Sequence, residues 1–338
     1  MSAHDAVLIP GDGIGPEVAA AARRVLAAAG VEIRWQVFEA GVKAQQAGLD
    51  PLPAALLTAV RETGAALKGP LTTPVASGFT SVNVGLRRSL DLYANLRPVR
   101  SLPGVASRWG EVDLVIIREN TEGLYIGEER WEDDDTVAAV RRISRAGSQR
   151  IAEFAFQTAA DLGKRSVTAV HKANILKESD GLFLETARQT ASRYPEIEFK
   201  DRIVDALCLD LTLDPNRHEV LLCPNLYGDI ASDLAAGLVG GLGLVPGANL
   251  GADCAVFEAV HGSAPDIAGQ GIANPTALIL AGAMLLRRLG EGAAAGRVER
   301  GLRELYAGGT TLPPDAGGTA STREFTDALI DAVQRLRT

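Results

Sequence analysis

Short apolar runs suited to strands alternate with stretches of helical apolar spacing, and no other feature of this sequence limits its possible folds as strongly. Residues 6–10, 33–38 and 65–68 read as strands, with helical patterns at 17–29 and 53–63 between them. Further strand candidates lie at 112–117, 166–170 and 220–223. Each helix would cover a face of the sheet that its flanking strands build, so this order predicts an α/β layered fold. A chain of 338 residues can bury a large core and divide into two domains. It contains no internal repeat and no low-complexity linker.

Charge removes one class of partner. The formal net charge is −8, with acids and bases interspersed. No basic stripe is present to neutralise phosphates, so nucleic acid is not expected as a partner. The 46% hydrophobic content and 36 glycines fit an ordinary α/β enzyme. Cys208, Cys223 and Cys254 are odd in number and lack the close spacing of a zinc site or redox pair, which predicts buried thiols in a reducing compartment. The N-terminus enters a strand-like run almost at once, without the basic region and apolar stretch of a signal peptide. The longest apolar runs, such as 277–286, are too short to span a bilayer. The expectation is a cytoplasmic protein with no membrane association. A polar run, 127–135, precedes the β-prone stretch 136–143 and reads as a solvated loop or hairpin that projects from the body.

Gly11-Asp12-Gly13-Ile14-Gly15-Pro16 follows a strand and precedes a helix, as a Rossmann dinucleotide loop would. That loop needs a glycine three residues after its second glycine, and Pro16 stands there instead. What remains is a tight strand-to-helix turn with Pro16 near the first helical position, where backbone can approach a ligand closely.

Residues 81–88 read as a capped helix in which Asn83 and Arg87, four apart, share a face. Arg97 and Arg118 sit at or beyond the ends of apolar segments. Any one of these arginines reads as a surface charge. Together, Arg87, Arg97 and Arg118 suit a substrate with several carboxylates, because guanidinium grips carboxylate through a two-pronged fork. Asp229 and Asp233, also four apart, would place their Cβ atoms roughly 5–6 Å from each other on one helical face, close enough to hold one hard cation. The alternative is a first helical turn enriched in acid by the helix dipole. Lys172 lies just beyond the strand 166–170, where a lysine is ordinarily solvated. Beside a divalent metal and arginines its neutral form would be favoured, and it could then accept a proton.

Lys68-Gly69-Pro70-Leu71-Thr72-Thr73-Pro74, Asn225-Leu226-Tyr227-Gly228-Asp229-Ile230-Ala231-Ser232-Asp233, and the segments 11–18, 90–98, 118–125 and 257–269 together resemble the isocitrate/isopropylmalate dehydrogenase family. The resemblance runs in the family's order from about residue 6 to 290. It implies a two-domain α/β homodimer with a non-Rossmann nucleotide site in the cleft. The large domain would combine 1–96 with 243–338, the small domain would be 97–242, and a segment at about 127–145 would interlock the subunits. By motif matching, Arg87, Arg97 and Arg118 would bind the malate portion of the substrate. Asp229 and Asp233, joined by Asp205 of the partner subunit, would ligate Mg²⁺ or Mn²⁺, which polarises the C2 oxygen. Lys172 of the partner subunit would be the base at the hydroxyl, and Tyr125 would donate the proton to the enolate carbon.

The same resemblance makes His261-Gly262-Ser263-Ala264-Pro265-Asp266-Ile267 the adenosine loop, with Thr72, Glu258 and Asn274 completing the cofactor site. Asp266 would face the ribose, where a carboxylate accepts from a 2′-hydroxyl and repels a 2′-phosphate. Members of the bacterial type that use NADP carry lysine and tyrosine at the positions of Asp266 and Ile267, so NAD is the expected cofactor. Ser81 and Asn83 offer a hydroxyl and an amide where isopropylmalate would need apolar contacts, which implies a third carboxylate on the substrate. The tricarboxylate isocitrate, oxidised and decarboxylated to 2-oxoglutarate and CO₂, is therefore expected. Homoisocitrate, longer by one methylene worth about 1–3 kcal/mol, is the first alternative, with isopropylmalate behind it. A non-catalytic regulatory subunit would have lost catalytic or ligand residues, whereas Tyr125, Lys172, Asp205, Asp229 and Asp233 are all present.

Overall fold

The computed structural model describes residues 3–72 and 81–337. Its strands in the first part of the chain are β1 (His4–Ile9), β2 (Ile33–Val37), β3 (Ala65–Lys68), β4 (Ala94–Arg100), β5 (Asp113–Glu119), β6 (Glu129–Trp131) and β7 (Val137–Ala139). β8 (Ser166–His171), β9 (Glu198–Ile203), β10 (Val220–Cys223), β11 (Pro246–Leu250) and β12 (Ala255–Ala259) follow. The helices are α1 (Gly15–Ala28), α2 (Val42–Gln46), α3 (Ala54–Thr63), α4 (Val82–Ser89), α5 (Arg145–Asp161) and α6 (Ser179–Ala191). The chain continues through α7 (Val204–Leu213), α8 (Asn225–Leu238), α9 (Thr276–Arg288), α10 (Gly292–Gly308) and α11 (Thr322–Arg335).

Ten strands form one sheet in the order β2-β1-β3-β12-β11-β4-β5-β10-β8-β9. Pairing is parallel among β2, β1, β3 and β12, and again among β5, β10, β8 and β9. Between these halves β11 runs antiparallel to β12 and β4, and β4 runs antiparallel to β5. Two parallel α/β units thus meet at an antiparallel seam. Each has its own core: Leu26, Phe257, Leu278 and Phe325 belong to a cluster beside the first half, and Ile117, Phe156, Phe183 and Leu222 to one beside the second. Helices cover the parallel halves because such strands are apolar on both faces, as the fully buried β3 and β10 are.

The expected strands 65–68 and 220–223 match β3 and β10, and the helix expected at 17–29 begins at Gly15, with Pro16 in its first turn. The strand expected at 112–117 extends through Arg118 to Glu119. Arg97 likewise lies inside β4, opposite Ile116. Both arginines are therefore interior to strands and buried, not surface charges beyond strand ends. The polar run after Gly127 forms the separate antiparallel hairpin β6–β7, whose Trp131 is 71% exposed. Among the described residues no helix is long and apolar enough to cross a membrane.

Candidate active site

Where the antiparallel seam meets α4 and α8, a cavity of about 220 Å³ opens, lined by Arg87, Arg97, Arg118, Tyr125, Asp229 and Glu258. Ser81 and Asn83, at the start of α4, and His261 and Gly262 reach the same cavity. Ser81 stands at the N-cap of α4 without a side-chain capping bond. Asn83 Oδ1 is buried and lacks a hydrogen-bond partner, a polar group that cavity contents would satisfy.

Arg118 is held from two sides. Its Nε and Nη2 donate to Asn225 Oδ1 at 3.0 and 2.7 Å, and Nη1 donates to Asp229 Oδ1. The absence of a side chain at Gly228 makes room: a Cβ there would stand 2.7 Å from the Arg118 Cβ. Arg97 donates through Nε to Asn95 Oδ1 at 2.7 Å and through Nη1 to Ser232 Oγ, with Asp229 Oδ1 at 3.5 Å and Asp233 Oδ1 at 3.9 Å. Burial, with Arg97 and Arg87 close by, lowers the Arg118 pKa to about 10, so the guanidinium stays charged at neutral pH. Burial works to raise the Asp229 pKa, but Arg118, the Tyr125 hydrogen bond, Arg97 and Arg87 together pull it below the usual carboxylate range. Asp233, 61% exposed at its side chain, shifts upward, mainly through burial of its other surface. Tyr125 donates its phenol to Asp229 Oδ2 under the face of Arg118, whose Cζ lies 4.9 Å from the ring centroid. Burial and that hydrogen bond raise its pKa, so the phenol keeps its proton and can act as a donor.

Glu258 sits on β12 as a buried carboxylate with Lys68 Nζ at 2.7 Å, Arg87 Nη2 at 3.2 Å and Asn249 Nδ2 at 2.6 Å. Burial opposes its ionisation, yet these cations hold its pKa far below the ordinary glutamate value. Arg87, expected on the substrate, is thus paired here with Glu258, expected on the cofactor. Lys68, to which the sequence pattern gave no role, also lines the cavity. Asn249, equally unexpected, accepts from Asn95 Nδ2 at 2.8 Å and Asn120 Nδ2 at 3.0 Å while it donates to Glu258. The only sequence sign was polarity at the end of one short apolar strand and within another.

The turn 11–16 packs against protein backbone. Gly11 and Gly13 have φ of +84° and +56°, and a Cβ on either would lie 2.3 Å from Pro70 O or 2.0 Å from Ser263 O. Asp12 N donates to Pro70 O at 2.8 Å and Ile14 N to Ser263 O at 2.9 Å, and the Asp12 carboxylate accepts from Thr72 N at 2.9 Å. The turn therefore locks together the loops that carry Thr72 and Ser263, whose hydroxyls bond at 2.7 Å. Thr73 and Pro74 of the same motif lie outside the described residues. Beyond Ser263, Ala264 adopts a φ of +37°, Asp266 is exposed and Ile267 is partly buried. Burial lowers the His261 pKa, and its Nε2 is buried without a partner. Asn274 is not brought to the cavity: its amide donates to Asp315 at 3.1 Å and Tyr306 OH at 3.2 Å, and its Oδ1 accepts from Thr276 N at 3.0 Å.

Lys172 and Asp205 pair with each other, and neither lines the cavity. The hydrogen bond from Lys172 lowers the Asp205 pKa. Among the described residues of this single chain, no group of three His, Cys, Asp or Glu side chains is arranged to hold a metal. Asp229 and Asp233 nevertheless supply two hard oxygen donors from one helix face, which fits Mg²⁺ or Mn²⁺ provided that further oxygens come from elsewhere.

A family model described as isocitrate/isopropylmalate dehydrogenase matches residues 5–329. A probable mitochondrial NAD isocitrate dehydrogenase of Drosophila melanogaster, the alpha subunit, is 47% identical over 322 residues, which cover 95% of this chain and 85% of that one. A mitochondrial NAD isocitrate dehydrogenase regulatory subunit of Dictyostelium discoideum is 44% identical over 327 residues, 96% of this chain and 91% of that one. Among solved structures, the isocitrate dehydrogenase from Methylococcus capsulatus superposes with a TM-score of 0.96 at 49% identity, over 98% of this chain and 99% of that chain.

Proposed function

The chain belongs to the isocitrate/isopropylmalate dehydrogenase family, and from that premise we propose that it oxidises and decarboxylates isocitrate to 2-oxoglutarate and CO₂, with NAD as oxidant and Mg²⁺ or Mn²⁺ as metal. The observation that carries this reading is the convergence of Arg87, Arg97 and Arg118 with Tyr125 and Asp229 on one cavity that Ser81 and Asn83 also line. Three guanidinium groups and two neutral polar side chains suit a tricarboxylate better than a substrate with an apolar substituent.

Asp229 and Asp233, with Asp205 of the partner subunit, would hold the metal, which would supply Lewis acidity toward the C2 oxygen, and NAD would supply the hydride acceptor. The arginines fix the carboxylates, and Ser81 with Asn83 takes the third. The hydroxyl proton passes to Lys172 of the partner subunit. The C–C bond to the carboxylate lost as CO₂ breaks, its electron pair passes into an enolate, and Tyr125, whose phenol is held protonated, donates the proton to the enolate carbon. Thr72, Glu258, His261 to Ala264, Asp266, Ile267 and Asn274 make up the proposed cofactor site. Asp266 is exposed and free to accept from a ribose hydroxyl, in keeping with NAD.

Support for a dimer comes from exposed apolar side chains: Leu209 and Leu213 on α7, Ile230 on the adjacent α8, and Trp131 and Val137 on the hairpin. A second copy of this chain would cover them and bring Lys172 and Asp205 to the neighbouring cavity. The proposed domain division, 1–96 with 243–338 against 97–242, follows the two parallel halves of the sheet. Free Cys208, Cys223 and Cys254 favour a reducing compartment. Cytoplasm is the proposed location, against the mitochondrial names of the eukaryotic relatives.

The test is catalytic efficiency on isocitrate, homoisocitrate and isopropylmalate, each with NAD and NADP, using the purified single chain. Isocitrate with NAD should lead. A higher value for either other acid would overturn the substrate, and no turnover at all would favour a regulatory role like that of the Dictyostelium relative.

A further inference from the structure

We propose that Asp180 is a positioning residue for Lys172, an inference that rests on the reading of Lys172 as the proton acceptor. Asp180 is completely buried, and no step of the proposed reaction uses it. A buried carboxylate without partners would be strongly disfavoured, and three donors meet this one, two of them from distant parts of the chain. Arg141 Nη1 donates to Oδ1, while Oδ2 accepts from the backbone N–H of Lys172 at 2.6 Å and from Tyr227 OH at 3.1 Å.

The competing explanation is a first-turn acid that favours its own helix, since Asp180 is the second residue of α6. The geometry argues otherwise. Its hydrogen bonds go back to Lys172, across to α8 and out to Arg141, and none goes to an N–H of α6.

The turn that bears Lys172 is clamped as a result. The Lys172 N–H is held by Asp180, and its C=O accepts from Ile175 N and Leu176 N, both at 2.9 Å. Tyr227 stands on α8 two residues before Asp229, and Arg141 follows the hairpin strand β7. One carboxylate thus joins the turn of the proposed base, the helix of the proposed metal ligands and the chain leaving the hairpin. Without it the Lys172 backbone loses its fixed point, and a displacement of about 1 Å at a reacting group can cost on the order of a hundredfold in rate.

The experiment compares Asp180→Asn with wild type on isocitrate and on isocitrate deuterated at C2. The amide keeps the size but leaves one oxygen to serve donors that now meet on both sides. The expected result is a kcat lower by about tenfold or more, KM values for isocitrate and NAD within about twofold, and a larger deuterium isotope effect on kcat as the chemical step becomes limiting. An isotope effect does not depend on the folded fraction, so a merely structural role would leave it unchanged. Should Asp180→Asn fail to fold, Tyr227→Phe, which removes one donor and keeps the Arg141 charge pair, is expected to raise the isotope effect with a smaller loss of kcat. A folded variant with wild-type kcat and isotope effect, or one altered only in KM, overturns the proposal. Lys172→Met separates the two levels: if it retains activity, the base reading fails and this inference with it. If it is inactive while Asp180→Asn behaves as wild type, only the positioning role is lost.

Discussion

Lys68 and Glu258 form a buried ion pair of 2.7 Å across the parallel strands β3 and β12, and Arg87 from α4 closes on the same carboxylate. Glu258→Gln would leave Lys68 and Arg87 without their buried counter-charge, a change that typically costs about 3–5 kcal/mol. The folded-state pKa of Glu258 is depressed, so its ionisation stabilises the fold in full above the ordinary value of 4.5 and is lost as pH falls from there through the depressed value. Denaturant titrations of wild type and variant should therefore show a constant stability gap near neutrality that narrows only below about pH 4.5. A gap that closes already between pH 8 and 6 would point to some other group.

Asp229→Asn and Asp233→Asn are each expected to weaken Mg²⁺ binding, measured by calorimetry with isocitrate present, by about tenfold or more, because each removes a charged oxygen that a hard cation needs. NAD affinity should stay within about twofold, since neither carboxylate lies on the loop 261–267. Metal titrations that superimpose on wild type would leave Asp229 with only the role of counter-ion to Arg118 and Arg97.

Most strands of the parallel halves were legible in sequence, and β3 and β10, apolar on both faces, announce themselves by composition. The seam strands β4 and β11, the neighbouring β12 and the β9 edge were not. β4 carries Asn95, Arg97 and Pro98, β11 begins with Pro246 and Gly247, and β9 is mostly charged. Their strand character comes from pairing with neighbours that local composition does not reveal. The site shows the same divide. Arg87, Tyr125 and Asp229 lie in recognisable motifs, and the structure brings them to one cavity. The burial of Lys68 and the amide bridge of Asn249 emerge only when β3, β11 and β12 are side by side. Asp180 was invisible for a related reason, since two of its partners lie 39 and 47 residues away.

Cofactor choice can be tested at the exposed loop. Asp266→Lys with Ile267→Tyr replaces a charge that repels a 2′-phosphate with one that attracts it. The ratio of catalytic efficiencies, NADP over NAD, should rise by at least about tenfold, with NAD efficiency falling; the exposure of Asp266 means that salt will reduce the effect. An unchanged ratio would place the adenosine ribose elsewhere.

Tyr125 hydrogen-bonds to Asp229 inside the cavity, whereas Lys172 of the same chain is paired with Asp205 outside it. If the base and the acid act at one site, they come from different chains. Lys172→Met and Tyr125→Phe homodimers should each lose about 10²–10⁴-fold in the full reaction, as proton-transfer groups typically do. Refolded together, the two variants give a heterodimer in which one site receives both wild-type residues and the other both lesions. Purified heterodimer should then show about half the turnover of a wild-type dimer, since one of its two sites is intact. A same-chain arrangement would leave one lesion in every site, so mixing would restore nothing, and a flat result would refute the shared site.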